Sequence, residues 1–152
     1  MLNKPLFLIL LGLFLAVLIT IPVKAQEEAA YPPHAILIAS FAGDEEMIRE
    51  ILSAGADINV RTETGDTALH VAMFQRNMTA VQLLLDHGFD PNARNSNGET
   101  PLHRAVTANN RQAVEILIRY RANKNIRNLA GRTPLEEASR SEERRQLIFL
   151  LR

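Results

Sequence analysis

The sequence predicts an all-α solenoid of about four helix-turn-helix repeats, preceded by an N-terminal signal peptide. Three observations predict it. A six-residue motif recurs with a step of 33 residues, and self-similarity at such a period marks stacked repeat units. Within each period the apolar residues fall at helical rather than strand spacing. Aromatics make up only 5% of the 152 residues and Trp is absent, so the hydrophobic 47% is mostly Leu, Ile, Val and Ala. Such residues suit thin helical layers better than one thick core.

The chain opens with a positive residue, Lys4, then the almost wholly apolar run Leu6 to Ile21, then Pro22-Val23-Lys24-Ala25. A positive segment, an apolar segment and small residues, in that order, form the plan of a secretory signal peptide, with cleavage expected after Ala25. The apolar run of 16 residues is shorter than the roughly 20 that cross a bilayer as a helix. An uncleaved anchor is the alternative. Either way residues 26 onward are expected across a membrane: periplasmic, with secreted or membrane-anchored forms as alternatives. Residues 26–30 read as a polar leader that runs into Tyr31-Pro32-Pro33. There are no cysteines, which removes disulfides, thiol catalysis and thiolate metal sites and lets a chain enter an oxidising compartment without wrong bridges.

The repeating part is more regular. Thr67-Ala68-Leu69-His70-Val71-Ala72 returns as Thr100-Pro101-Leu102-His103-Arg104-Ala105 and again as Thr133-Pro134-Leu135-Glu136-Glu137-Ala138. The same step relates Arg61, Arg94 and Arg127; Gly65, Gly98 and Gly131; Asn59, Asn92 and Asn125; Asp57, Asp90 and Asn123. One step before Thr67 lies His34-Ala35-Ile36-Leu37-Ile38-Ala39, a degenerate first copy. The periods divide as 31–63, 64–96, 97–129 and a truncated 130–152.

Thr followed by Pro starts the first helix of a repeat, the hydroxyl as cap and the proline in the first turn. The second helix carries an apolar stripe: Met47, Ile48, Ile51 and Leu52; Ala80, Val81, Leu83, Leu84 and Leu85; Ala113, Val114, Ile116, Leu117 and Ile118. Gly55 and Gly88 stand where that helix stops in a left-handed conformation. Arg121 stands at the third such place, at a cost of about 1 kcal/mol if the backbone stays left-handed. Thr62 to Asp66 and Asn95 to Glu99 have turn chemistry. The last repeat carries charges at Glu142, Glu143, Arg144 and Arg145 before Leu147 to Leu151, as a terminal repeat with a polar outer face requires.

These motifs, in one phase over about residues 31–152, resemble the ankyrin-repeat family, whose repeat has 33 residues and a Thr-Pro-Leu-His core. The resemblance implies two antiparallel helices per repeat, with a β-hairpin loop projecting at right angles. It implies that His70 and His103 are structural, each bonding to its own Thr and to backbone across the repeat junction. It further implies binding of partners by the hairpin tips and the exposed side of the first helix. Within the family the chain is similar to small exported bacterial ankyrin proteins, some of which are associated with protection against oxidative stress.

Little in the sequence points to chemistry. No two histidines have metal-ligand spacing on one helix. The Asp57-x-Asn59 and Asp90-x-Asn92 pairs lack the distant Glu of a calcium loop and read as turns. Glu136-Glu137 and Glu142-Glu143 read as a solvated terminal face. Gly65, Gly98 and Gly131 are spaced by the repeat and form no phosphate loop. Asn77-Met78-Thr79 is a glycosylation acceptor by pattern alone. The expected site residues are therefore none catalytic, none for a cofactor and none for a metal.

The surface is where the repeats differ. One set of equivalent positions runs Ile38, Val71, Arg104, Glu137, and a second runs Phe41, Phe74, Thr107, Arg140. Both turn from apolar to polar halfway. Exposed apolar patches tend to mark interfaces; the alternative is a patch covered by the leader, with Tyr31 the candidate cover. The partner-binding positions expected are Ile38, Phe41, Val71, Phe74, Arg104, Thr107 and Arg140, with Asp66, Glu99 and Arg132. Arg61, Arg94 and Arg127 are expected to bind neighbouring hairpins. Charge is segregated too. Residues 26–99 hold 4 basic and 12 acidic side chains, net −8, and residues 100–152 hold 11 basic and 5 acidic, net +6. The zero total offers no general attraction to nucleic acid or acidic membranes.

The expected function is a non-catalytic protein-binding module in the periplasm or secreted space. Its alternatives are an immunity or inhibitor protein capping an exported toxin or enzyme, a secreted effector acting on host proteins and, furthest from the residue pattern, an enzyme. The expected partner is another protein. No nucleic acid is expected, and no membrane contact beyond the export signal. The expected state is a monomer or weak head-to-tail self-association.

Overall fold

Polar caps mark where most of the helices begin, though not the first or the last. A computed structural model describes residues 31–73 and 78–152; the expected signal peptide and leader, Phe74 and Asn77 lie outside them. The helices are α1 (Ala35–Ala42), α2 (Glu45–Ser53), α3 (Ala68–Ala72), α4 (Met78–Asp86), α5 (Pro101–Thr107), α6 (Arg111–Arg119) and α7 (Pro134–Ala138). A 3-10 turn at Glu142–Leu147 leads into α8 (Ile148–Leu151). Asp44 caps α2 by accepting from the Met47 N–H at 3.0 Å, and Asn110 caps α6 by accepting from Ala113 at 3.0 Å. Thr100 and Thr133 precede Pro101 and Pro134 at the starts of α5 and α7, as the Thr-Pro motif predicts.

The helix ends also follow the sequence. Gly55 and Gly88 have φ of +79° and +85° after α2 and α4. Arg121, in the same place after α6, has φ of +61°, a conformation that crowds Cβ against the following carbonyl.

First helices stack on first helices, α1 on α3, α3 on α5 and α5 on α7, while α2 packs on α4 and α4 on α6. Between the two rows lies a core of Leu, Ile, Val, Ala and Met, including Ile36, Ile48, Leu69, Met73, Leu84, Leu102 and Leu117. Ala72, Ala105 and Ala138 are all fully buried in it, and their small side chains let the two helices of a repeat approach.

The loops differ from the expected hairpins. Each is closed by a backbone bond from its first N–H to its fifth carbonyl: Thr62 to Asp66 at 2.9 Å, Asn95 to Glu99 at 3.0 Å and Asn128 to Arg132 at 2.9 Å. Neighbouring tips are joined by one further bond, Ser96 to Thr64 at 3.0 Å and Leu129 to Asn97 at 2.9 Å. Five residues leave no room for a ladder, and no strand is formed among the described residues. The approach is close enough to demand glycine. A Cβ on Gly65 would lie 2.9 Å from the Ser96 nitrogen, and Gly65 has φ of +75°.

The arginine series locks these loops, as its regular spacing predicts. Arg61 donates to the carbonyls of Gly65 and Arg94, both at 3.0 Å. Arg94 donates to Gly98 at 3.3 Å and to Arg127 at 2.9 Å. Arg127 donates to Gly131 at 2.6 Å and, with no further loop among the described residues, meets Glu136 at 2.7 Å. The Asp and Asn pairs are turns: Asp57 and Asp90 accept from the N–H of Asn59 and Asn92, each at 2.8 Å.

Candidate functional site

The stacked first helices bring every thirty-third side chain into a row, and that face holds the candidate site. Its first half is apolar and open. Ile38 and Phe41 on α1 are 64% and 59% exposed. With Leu37, Thr62 and the partly buried Val71 on α3 they line a groove of about 380 Å³ whose lining surface is apolar. Tyr31 does not cover it: its hydroxyl donates to Glu50 on α2 at 2.9 Å, and that carboxylate acceptor raises the phenol pKa above its usual value. Phe74, the fourth apolar residue expected here, lies outside the described residues. Leu37 and Thr62 complete the groove without having been expected. Thr62 belongs to the loop folded over α1, a proximity that spacing along a helix does not encode.

The second half of the face is polar and already bound to itself. Arg104 lies 3.0 Å from Asp66 and 3.4 Å from Glu99. Asp66 is buried and also accepts from the Asn95 amide at 2.7 Å and the Thr64 hydroxyl at 3.1 Å. One repeat further on, Glu137 lies 2.6 Å from Arg132 and 3.7 Å from Arg144. Thr107 and Arg140 are exposed beside this network. The structure thus divides the expected partner-binding residues. Ile38, Phe41 and Val71 share a groove, while Asp66, Glu99, Arg104 and Arg132 are tied into intramolecular ion pairs. The signal for that pairing was present in two of the three loops: the last residue and the residue five positions later, Glu99 with Arg104 and Arg132 with Glu137, carry opposite charges.

The histidines are built into the stack. Nδ1 of His70 accepts from the Thr67 N–H at 3.2 Å and faces the Thr67 hydroxyl at 2.9 Å, while Nε2 lies 3.0 Å from the Glu99 carbonyl. A carbonyl can only accept, so the proton sits on Nε2. His103 repeats the arrangement with Thr100 and the Arg132 carbonyl, at 2.9 and 3.0 Å. Burial pushes both pKa values below the ordinary imidazole range, against the opposing pull of the carbonyl bonds. Neither ring has a nitrogen left for catalysis. Glu136, at the equivalent place in the last repeat, accepts from the Thr133 N–H at 2.8 Å. With no described loop beyond to receive a histidine N–H, an acceptor-only carboxylate serves the cap as well. That N–H and Arg127 hold the Glu136 pKa below the usual carboxylate range.

Helix pairs stacked in two rows, five-residue loops joined tip to tip, and a histidine held by its own Thr that reaches the next repeat's carbonyl at His70 and His103 describe one family's architecture. A model of ankyrin repeats, three copies, matches residues 35–128. The chain belongs to the ankyrin-repeat family. Ankyrin repeats are protein–protein interaction modules and in general do not catalyse reactions. A search of curated proteins returned no match to the chain. In this ankyrin domain the helical pairs continue past the matched residues through α7 and α8.

Proposed function

We propose that this ankyrin-repeat chain is an exported, non-catalytic binding protein that holds another protein in the groove of Leu37, Ile38, Phe41, Thr62 and Val71. The observation that carries this reading is the exposure of Ile38 and Phe41, 64% and 59%, beside a polar half in which Asp66, Glu99, Arg104, Arg132 and Glu137 are mutually paired. Ordered apolar side chains left in water beside a rigid scaffold are the usual mark of an interface. Export rests on the plan of residues 1–25, and periplasmic delivery follows if the source is a bacterium of that architecture.

Two measurements test the reading. The full-length chain is expressed in a bacterial host and fractionated, and its N-terminus is sequenced. A periplasmic product beginning at Gln26 is expected, and a cytoplasmic product retaining Met1 would sink the export proposal. The docking proposal is tested by chemical cross-linking in the source cells, comparing the natural chain with the Ile38→Asp/Phe41→Asp variant. Loss of the cross-linked species with unchanged circular dichroism is expected. The same species at the same yield in both would rule out the groove.

A further inference from the structure

The groove sits on the acidic half of the chain, and the opposite end carries a side chain suited to it. Phe149 on α8 is 84% exposed, the most exposed large apolar residue among those described. It lies within Arg144-Arg145-Gln146-Leu147-Ile148-Phe149-Leu150-Leu151-Arg152, so its apolar surface is bracketed by arginines. Leu147 and Leu151 are buried in the core, which fixes α8 on the domain and turns Phe149 outward. Among the described residues the Arg145 side chain pairs only with Glu142, in an exposed contact at 2.8 Å, and a contact of that kind exchanges readily for another.

The groove end is complementary. Phe41 and Ile38 are followed at the end of α1 by Asp44, Glu45 and Glu46, and Thr62 is followed by Glu63 on the loop. Residues 26–99 carry net −8 and residues 100–152 net +6. Phe149 does not reach its own groove, because α8 packs on α7 and the 3-10 turn while the groove lies on α1 and α3, with the α5 layer between.

We propose that the chain associates head to tail, Phe149 of one copy entering the groove of Leu37, Ile38, Phe41, Thr62 and Val71 of the next, with the arginines around it facing the acidic end. This rests on the reading of the groove as the docking face and names a second copy as its occupant. The contact is heterologous, so each added copy presents a new groove and a new Phe149 and the assembly stays open. One aromatic anchor with a charged rim makes a small interface, at the weak end of the size range, and one sensitive to salt.

Sedimentation velocity on the chain expressed from its full sequence, over a concentration series at low and high salt, tests this. The average mass is expected to grow with concentration, and more at low salt. Phe41→Asp and Phe149→Ser, each checked for unchanged circular dichroism, are expected to remain monomeric alone. Their equimolar mixture is expected to form a dimer and stop there, because Phe149→Ser keeps an intact groove and Phe41→Asp an intact tail. A natural chain that stays monomeric at every concentration overturns the proposal, as does a mixture that fails to pair or assembly that survives Phe149→Ser. Head-to-tail association then fails alone if the Ile38→Asp/Phe41→Asp variant still loses its cross-linked species in cells. The groove fails with it if that species also persists.

Discussion

The first-helix face of the first two repeats and that of the last two rest on the same stacked backbone, yet one is open and the other is closed on itself. Val71 and Arg104 are equivalent positions. Arg104 reaches back to Asp66 and Glu99, so it satisfies the loop of its own repeat and the loop before it. Val71 offers no charge to Asp66, and with Ile38 and Phe41 it leaves an apolar groove. Repeat architecture therefore sets where side chains point, and local charge pairing sets which of them are left for a partner.

Cutting the junction between the halves should have the largest effect. His70 belongs to the second repeat and binds the Glu99 carbonyl of the third. His70→Ala removes that link, the acceptor for the Thr67 N–H and buried volume, and is expected to cost about 2–4 kcal/mol. Urea unfolding measures it, and a loss well under 1 kcal/mol would mean that the loops alone join the halves.

Acid should loosen the same junctions. Both buried histidines have depressed pKa values, so on acidification the unfolded chain binds protons before the folded one does. Their contribution is present in full above the ordinary imidazole pKa of about 6.5 and is lost as pH falls from there to the folded pKa. The urea midpoint should accordingly drop between neutral pH and pH of about 5.5, and a flat midpoint would refute the assignment. Glu136 acts in a lower window: its pKa is depressed, so its contribution is present at neutral pH and lost only as pH falls through the acidic carboxylate range, and Glu136→Gln should flatten the pH dependence in that range alone.

Opening the closed half is the next smaller change. Arg104→Leu extends the apolar stripe onto the third repeat and strips Asp66 of its cation, for an expected loss of about 1–2 kcal/mol after allowance for partial exposure. Asp66→Asn in the same chain should recover part of it. A double variant no more stable than the single one would show that the pair is not coupled.

Two further substitutions sharpen the contrast between repeats at the scale of about 1 kcal/mol or less. Arg121→Gly gives the third repeat the left-handed terminator that the second has in Gly88, and should raise stability by about 1 kcal/mol. The Ser40 hydroxyl is buried under the apolar half with no hydrogen-bond partner among the described residues, where Met73 and Val106 stand in the next repeats. Ser40→Ala should stabilise by about 0.5–1 kcal/mol. Calorimetric shifts of Tm upward in both are the expected readout, and a downward shift in either would contradict the local explanation.

Much of this was legible in the residues because a repeat writes its contacts at a fixed step. The family, the helix starts at Thr100 and Thr133, the left-handed terminators, the histidine links and the arginine series all follow from 33-residue equivalence. So did the apolar character of Ile38, Phe41 and Val71. The sequence by itself thus determined the scaffold, since each of those contacts lies within one repeat or recurs at a fixed offset between neighbours. Only the tertiary structure decided which surface remains available. Thr62 lies beside α1, Asp66 pairs with Arg104 across 38 residues, and Phe149 points outward while Leu147 and Leu151 go in. These outcomes join unlike positions, loop to helix or one face of a short helix against the other. They depend on which atoms come within a few ångströms once the layers are stacked, and a linear period carries no record of that.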